Sequence, residues 1–380
     1  MDLDIAIIVI FLALNLVIGV ISSKNINSFD RFSVGKRTFT SFAIFASLSA
    51  SFIGGGYTLG NAGKVFSHGM IYAVALLGFS LKEILVAQVI APRMAAYHNS
   101  LSIGDIIAKR YGKAAKVMTG IFGVLVCTGI LGAQVGAMGA VFNTFLHIKA
   151  SWGIIIGFSI IILYSSLGGM RAVVYTDILQ FLVLIIGIPL TLFIGIHYVG
   201  GFKALVAKVP QHHIAFLSNK HDIFLFVSLF VTFIFGETLV PPYVQRLFMT
   251  KSIKQTKSAI LASGLLSIPF FLVAGTIGLV AYAMNPHINA NAALPYVINT
   301  ALPLALRGFV VASILAIIMS SAAGFLNAAS VSFVNDIVRP LTNDKSSQKT
   351  LMRLAKGMTF FVGVGSILFA LAIKNLLDVL

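Results

Sequence analysis

Apolar runs of about 20 residues recur along almost the whole chain, and that is the length one helix needs to cross the hydrocarbon core of a bilayer. They fall near 3–21, 39–66, 70–97, 117–146, 152–167, 168–198, 223–246, 259–284, 305–334 and 354–373. This pattern describes an all-α, polytopic membrane protein with about ten transmembrane helices. The bulk figures agree: 58% of the 380 residues are hydrophobic, only 10% are charged, and the mean hydropathy is +0.99, outside the range of soluble globular chains. Asp2 and Asp4 stand where a secretory leader would carry lysines, so the first run reads as a retained span. The single cysteine, Cys127, lies in an apolar run and excludes an intramolecular disulfide.

A net charge of +16 invites a nucleic-acid reading. The distribution of that charge removes it. With the N-terminus outside, 19 of the 27 lysines and arginines fall in connections on the inner side, as the positive-inside rule requires of a protein in a plasma (inner) membrane. No nucleic-acid partner is expected. The sequence also lacks HExxH, GxSxG and Walker patterns, so no enzyme is expected.

Two of the runs are interrupted. The second carries Gly54, Gly55 and Gly56 near its middle. Glycine costs roughly 1 kcal/mol per residue in a helix interior, and unwound backbone is tolerated at membrane depth only where it lines an enclosed cavity. The seventh carries Gly236, Glu237, Pro241 and Pro242, and proline mid-helix removes a donor and clashes with the preceding turn. The two breaks are five runs apart. An odd separation inserts two five-helix repeats with opposite topology, which places a binding site between the breaks. Gly54, Gly55 and Gly56 are expected to line it.

Around the breaks lie polar groups suited to a cation. Ser313, Ile317, Ser320, Gly324 and Asn327 recur at three- and four-residue steps and share one helix face, with Ser321 beside it. Spacing alone leaves open whether those serines bind an ion or their own i−4 carbonyls. Intramembrane charge is expensive and usually functional. Asp177 can bind a cation or pair with Arg171, and Glu237 sits beside the proline break within reach of a solute. Lys82 and Glu83 are adjacent and project roughly 100° apart on a helix, so each is expected to snorkel or to pair with another helix. His212 and His213 are expected in a solvated loop.

Four stretches, ASLSASFIGGGYTLGNAG, GGMRAVVYTDILQ, PPYVQRLF and IIMSSAAGFLNAASVSFVNDI, resemble the signature stretches of the sodium/solute symporter family, in family order. The resemblance implies a LeuT-type core, two inverted five-helix repeats behind one extra N-terminal helix. Residues 1–38 would then hold the extra helix and a basic loop, 39–199 the first repeat, 200–221 an extracellular connection and 222–380 the second repeat. It implies a sodium site made by the carbonyls of Ala50, Ile53 and Ile317 and the hydroxyls of Ser320 and Ser321. Asp177 would serve cation coupling, and Tyr57, Glu237 and Tyr243 would face the solute. The only tryptophan, Trp152, is a single residue, so a tryptophan-lined cage for a quaternary amine is not available.

The implied function is sodium-coupled symport of a small organic solute (an amino acid such as proline, pantothenate, choline or a sugar) by alternating access. Sodium is the coupling ion and no other cofactor is expected. The resemblance also implies a further core helix, which only about six residues after Lys374 would begin. A non-transporting solute sensor, an inactive truncated paralogue and proton-coupled symport are the alternatives.

Overall fold

The computed structural model describes residues 3–24, 26–215, 220–236 and 240–372, and among these the chain is helical with no strand. The principal helices are α1 (Leu3–Ser22), α2 (Ser41–Phe52), α3 (Asn61–His68), α4 (Leu77–Leu85), α5 (Ile103–Leu146), α6 (Ala150–Tyr198), α7 (Lys220–Phe235), α8 (Pro241–Leu247), α9 (Ile253–Met284), α10 (Leu306–Ser332) and α11 (Gln348–Ala372). Short helical turns join them. Side-chain hydroxyls at Thr40, Ser102 and Ser252 accept from the backbone amides that open α2, α5 and α9, satisfying donors that no helical turn can reach.

Among the described residues seven helices are long and apolar enough to cross a membrane, or eight when the bent pair 41–52 and 56–68 is taken as one span. The sequence expectation is about ten, and two places account for the difference. α7 has 16 described residues and is too short to count. α6 counts once although it doubles back. A straight α6 would hold residues 164 and 180 about 24 Å apart, yet α1 meets both within one turn, with Gly19 packed on Tyr164 and Asn15 accepting from Gln180 at 2.7 Å. The hinge is Gly169, at φ +54° and ψ −147°, conformations open to glycine alone. A Cβ there would also lie 2.4 Å from the Phe32 carbonyl.

α10 runs through the middle. Its membrane window is 94% buried, which is how a helix apolar on every side is accommodated. α6, α5 and α1 surround it. α7 lies over α4 so closely that a Cβ on Gly78 would meet the Phe230 carbonyl at 2.4 Å.

The first break is narrower than three consecutive glycines suggest. Ile53 and Gly54 leave the helix, whereas Gly55 is already helical and Gly56 opens a wide π turn ending at Gly60. The two halves diverge by 58°. At the second break Pro241 and Pro242 open α8 at its first turn, where a missing N–H costs nothing and φ is already suitable. The prolines therefore begin a helix rather than kink one. Glu237 lies outside the described residues.

Of the histidine pair, His212 is exposed as expected, but His213 is not. His213 is buried, its Nε2 is 3.0 Å from the Phe66 carbonyl, and its own carbonyl accepts from Met70 N at 2.7 Å. The connection after α6 thus docks onto the turn between α3 and α4.

Candidate functional site

Where α2 ends, α10 closes on it. Ser321 Oγ donates to the Ser51 carbonyl at 2.8 Å, and Ser51 Oγ lies 2.8 Å from Ser320 Oγ. A Cβ on Gly54 would sit 3.1 Å from Ser321 Oγ. Ala50, Ile53 and Ile317 flank this contact and are buried. The Ile53 carbonyl, released from the helical ladder, accepts from Thr58 Oγ1 at 3.2 Å. Ser320 and Ser321 thus meet the broken end of α2, which carries Ala50 and Ile53, at a buried junction of hydroxyls and main-chain oxygens, the donor set a hard cation prefers, with Ile317 about one turn back on α10.

Asp177 reaches the same junction from α6, fully buried eight residues past the hinge. Its partner is Arg246 on α8, at 3.2 Å, and not Arg171. Six residues along the same helix is a shorter path than a bridge to α8, but Arg171 lies at the hinge and is only half-buried. Arg246 is also fully buried, although on charge count it belongs with the inner-side basic residues. Every edge of its guanidinium is used. Nε donates to Ser47 Oγ at 2.8 Å, Nη1 to the Pro242 carbonyl at 3.0 Å, and Nη2 to Ser51 Oγ at 2.6 Å and to Asp177 Oδ2. Ser47 Oγ in turn donates to Asp177 Oδ2. Gly324 of α10 makes the room, since a Cβ there would lie 3.1 Å from Nη2.

Ser47, Ser51 and Arg246 are the site residues that sequence reasoning missed. Ser47 and Ser51 are spaced i, i+4 and face the same way. An arginine four residues beyond a membrane proline was the available signal. The serine stripe on α10 divides in use. Ser320, Gly324 and Asn327 face the site, Asn327 through Gln245 at 3.1 Å, while Ser313 turns to α6 and donates to the Val183 carbonyl at 3.0 Å.

On the other side of Phe52 lies a second charged pair, against the expectation for its residues. Lys82 Nζ and Glu83 Oε1 of α4 are 3.0 Å apart, with side chains 2% and 1% exposed. Their long side chains close the angle that the backbone opens. Glu83 also meets another helix, as expected, accepting from the Tyr243 hydroxyl at 3.0 Å. Tyr243 stacks edge-on against Phe52, and Tyr57 packs on Phe79 and Phe271 with ring centres 5.1 and 5.7 Å away. Gly55 and Gly56 are less covered than Gly54, and Gly56 is exposed. A cavity of about 330 Å³ adjoins the break, bounded by Leu59, Gly60, Ala137, Asn289, Asn291 and Ile318.

The sequence profile of the sodium:solute symporter family matches residues 32–379. The human sodium/iodide cotransporter is 29% identical over 251 residues, covering 62% of this chain and 38% of its own. The human high affinity choline transporter 1 is 26% identical over 294 residues, 71% of this chain and 49% of its own. The Bacillus subtilis high-affinity proline transporter PutP is 24% identical over 201 residues, 51% of this chain and 42% of its own. The matches thus span less than half the length of these relatives. Among solved structures, a Na+-coupled sialic acid symporter in its substrate-bound outward-open state superimposes with a TM-score of 0.89 at 22% identity, covering 100% of this chain and 84% of that one. That likeness is one of fold.

Proposed function

Because this chain belongs to the sodium:solute symporter family, we propose that it is a secondary active transporter in which inward sodium flow drives uptake of a small organic solute. The cation site is the junction of α2 and α10, with the carbonyls of Ala50, Ile53 and Ile317 and the hydroxyls of Ser320 and Ser321 as ligands. One observation carries this reading: the broken end of α2 and the Ser320–Ser321 pair meet through Ser51 at 2.8 Å, at membrane depth. Sodium bound there ties the two elements together. It favours the outward-open state and orders the break before solute binds and the bundle rocks.

Asp177 acts in coupling without touching the ion. Its pairing with Arg246 leaves the junction uncharged, so sodium adds the only net charge. Tyr57, Tyr243, Glu237 and the backbone of Gly54, Gly55 and Gly56 form the solute side. The five-helix repeats are 39–199 and 222–380, the N-terminus is outside, and the protein resides in the plasma membrane. A cysteine placed before α1 is then labelled by an impermeant reagent in intact cells.

The central test is uptake of radiolabelled proline, pantothenate, choline, glucose, iodide and sialic acid into proteoliposomes, with and without an inward sodium gradient. Sodium-driven uptake that disappears in Ser320→Ala/Ser321→Ala establishes symport and its ion site. Uptake that follows a pH gradient and ignores sodium moves coupling to protons. No uptake from folded protein leaves a solute sensor or an inactive paralogue.

A further inference from the structure

The Lys82–Glu83 pair lies within the span Ile71–Tyr97, where two buried charges demand compensation. A structural ion pair compensates by joining two elements. Here both charges belong to one turn of α4, so their contact with each other joins no second element, and the link to α8 is the Tyr243 hydroxyl on Glu83. The Lys82 ammonium, 2% exposed, has no aligned hydrogen-bond acceptor among the described residues. It rests instead over the Phe79 ring, 3.7 Å from its centre, and 5.4 Å from that of Tyr243.

Both breaks converge on this pair. Tyr57, just past the first, packs on the Phe79 ring that lies beneath the ammonium. Tyr243, just past the second, donates to Glu83. Adjacent opposite charges with aromatic walls, one pole short of acceptors, match a ligand that carries both charges itself. We infer that Lys82 and Glu83 are the two poles of a binding site for a small zwitterion, a solute bearing one carboxylate and one ammonium. This rests on the solute-transport reading above and names the solute class for it.

The solute carboxylate supplies the acceptors that Lys82 lacks. The solute ammonium takes the place of Lys82 at Glu83, with Phe79 and Tyr243 offering ring faces to it. The pair carries no net charge, so a solute with net charge brings an uncompensated ion into a low-dielectric interior, whereas a zwitterion does not. When no solute is bound the two poles close on each other.

The test measures sodium-driven uptake into proteoliposomes, and thermal stabilisation of the detergent-purified chain, with the twenty amino acids, glycine betaine, choline, pantothenate and glucose. A zwitterion is expected to be favoured at least tenfold over the charged and uncharged solutes. Lys82→Met/Glu83→Met removes both charges together and preserves packing, and its melting temperature without ligand shows that it folds. It is expected to lose uptake and stabilisation by the zwitterion, while Lys82→Arg keeps part of both. Sodium-driven uptake of choline or glucose alone, or a double variant that handles zwitterions normally, overturns the assignment and leaves symport intact. If no solute is taken up at all, the symport reading fails and melting decides the site by itself. Stabilisation by a zwitterion that the double variant lacks supports it, and no stabilisation by any zwitterion overturns it.

Discussion

Two buried ion pairs flank Phe52, and they are built differently. Arg246 and Asp177 come from separate helices, and serine hydroxyls from α2 complete the guanidinium and share the carboxylate. Lys82 and Glu83 are neighbours on one turn, with the Tyr243 hydroxyl on Glu83 and the Phe79 and Tyr243 rings beside Lys82. The first pair is fixed on several sides and joins α2, α6 and α8. The second can open without moving a helix. Burial alone therefore does not tell a structural charge from one held ready for a ligand. The number of elements a pair joins, and how fully its donors are used, separates the two.

The largest effect expected from this contrast is at Arg246. Arg246→Met strands a buried carboxylate and two serines, and should cost about 3–5 kcal/mol of stability, read from denaturant unfolding in mixed micelles. Arg246→Met/Asp177→Asn should recover most of the loss. Lys82→Met should cost less, about 2 kcal/mol, since Glu83 keeps the Tyr243 hydroxyl. A loss at Lys82 equal to that at Arg246 would erase the distinction between the pairs.

Gly324→Ala probes the fixed pair more gently. The new methyl meets a guanidinium already bonded on every edge, so it should cost about 1 kcal/mol by crowding and weaken sodium binding through Ser51. The smallest effect lies away from both pairs. Burial lowers the pKa of His213 from its ordinary value of 6.5, the Phe66 carbonyl opposes that shift, and His212 and His68 add to it. The folded state thus favours the neutral ring, and its stabilising contribution is present above pH 6.5 and declines as pH falls through the lowered value. The protection against exchange of the Met70 amide, whose N–H is held by the His213 carbonyl, should fall on acidification once the pH dependence of the intrinsic rate is divided out. His213→Gln should remove that fall.

Much of the fold was legible because lipid restricts the chain so strongly. Long apolar runs leave little but helices, and glycine or proline at membrane depth marks a break wherever it occurs. The serines of α10 were legible as a stripe, since helical periodicity is a local property. The meeting of the α2 break with Ser320 and Ser321 came only through the family resemblance, and what escaped was the partner of each buried charge. Arg246 reads as an inner-side loop charge until α6 and α2 are seen to enclose it. Asp177 has a nearer basic residue in sequence, Arg171, and a closer one in space. The Lys82–Glu83 contact escaped because the backbone angle was applied to side chains long enough to defeat it. The doubling of α6 was half legible, since GlyGly at 168–169 with Arg171 marks a connection too short to look like one.

The Asp177–Arg246 pair joins residues 69 positions apart in the chain, and this has a bearing on how the protein is made. At a synthesis rate of ~5–20 residues per second, roughly 3–14 s separate the appearance of the carboxylate from that of the guanidinium. Ser320 and Ser321 arrive later still. During that interval Ser47, already made, is the partner from this network that is available to the acid. Ser47→Ala should therefore lower the yield of correctly assembled protein more than it lowers the stability of molecules that do assemble, a difference visible by comparing membrane-inserted yield with unfolding of the purified product. A hydroxyl that looks secondary in the finished site is, in the order of birth, the one that holds the place.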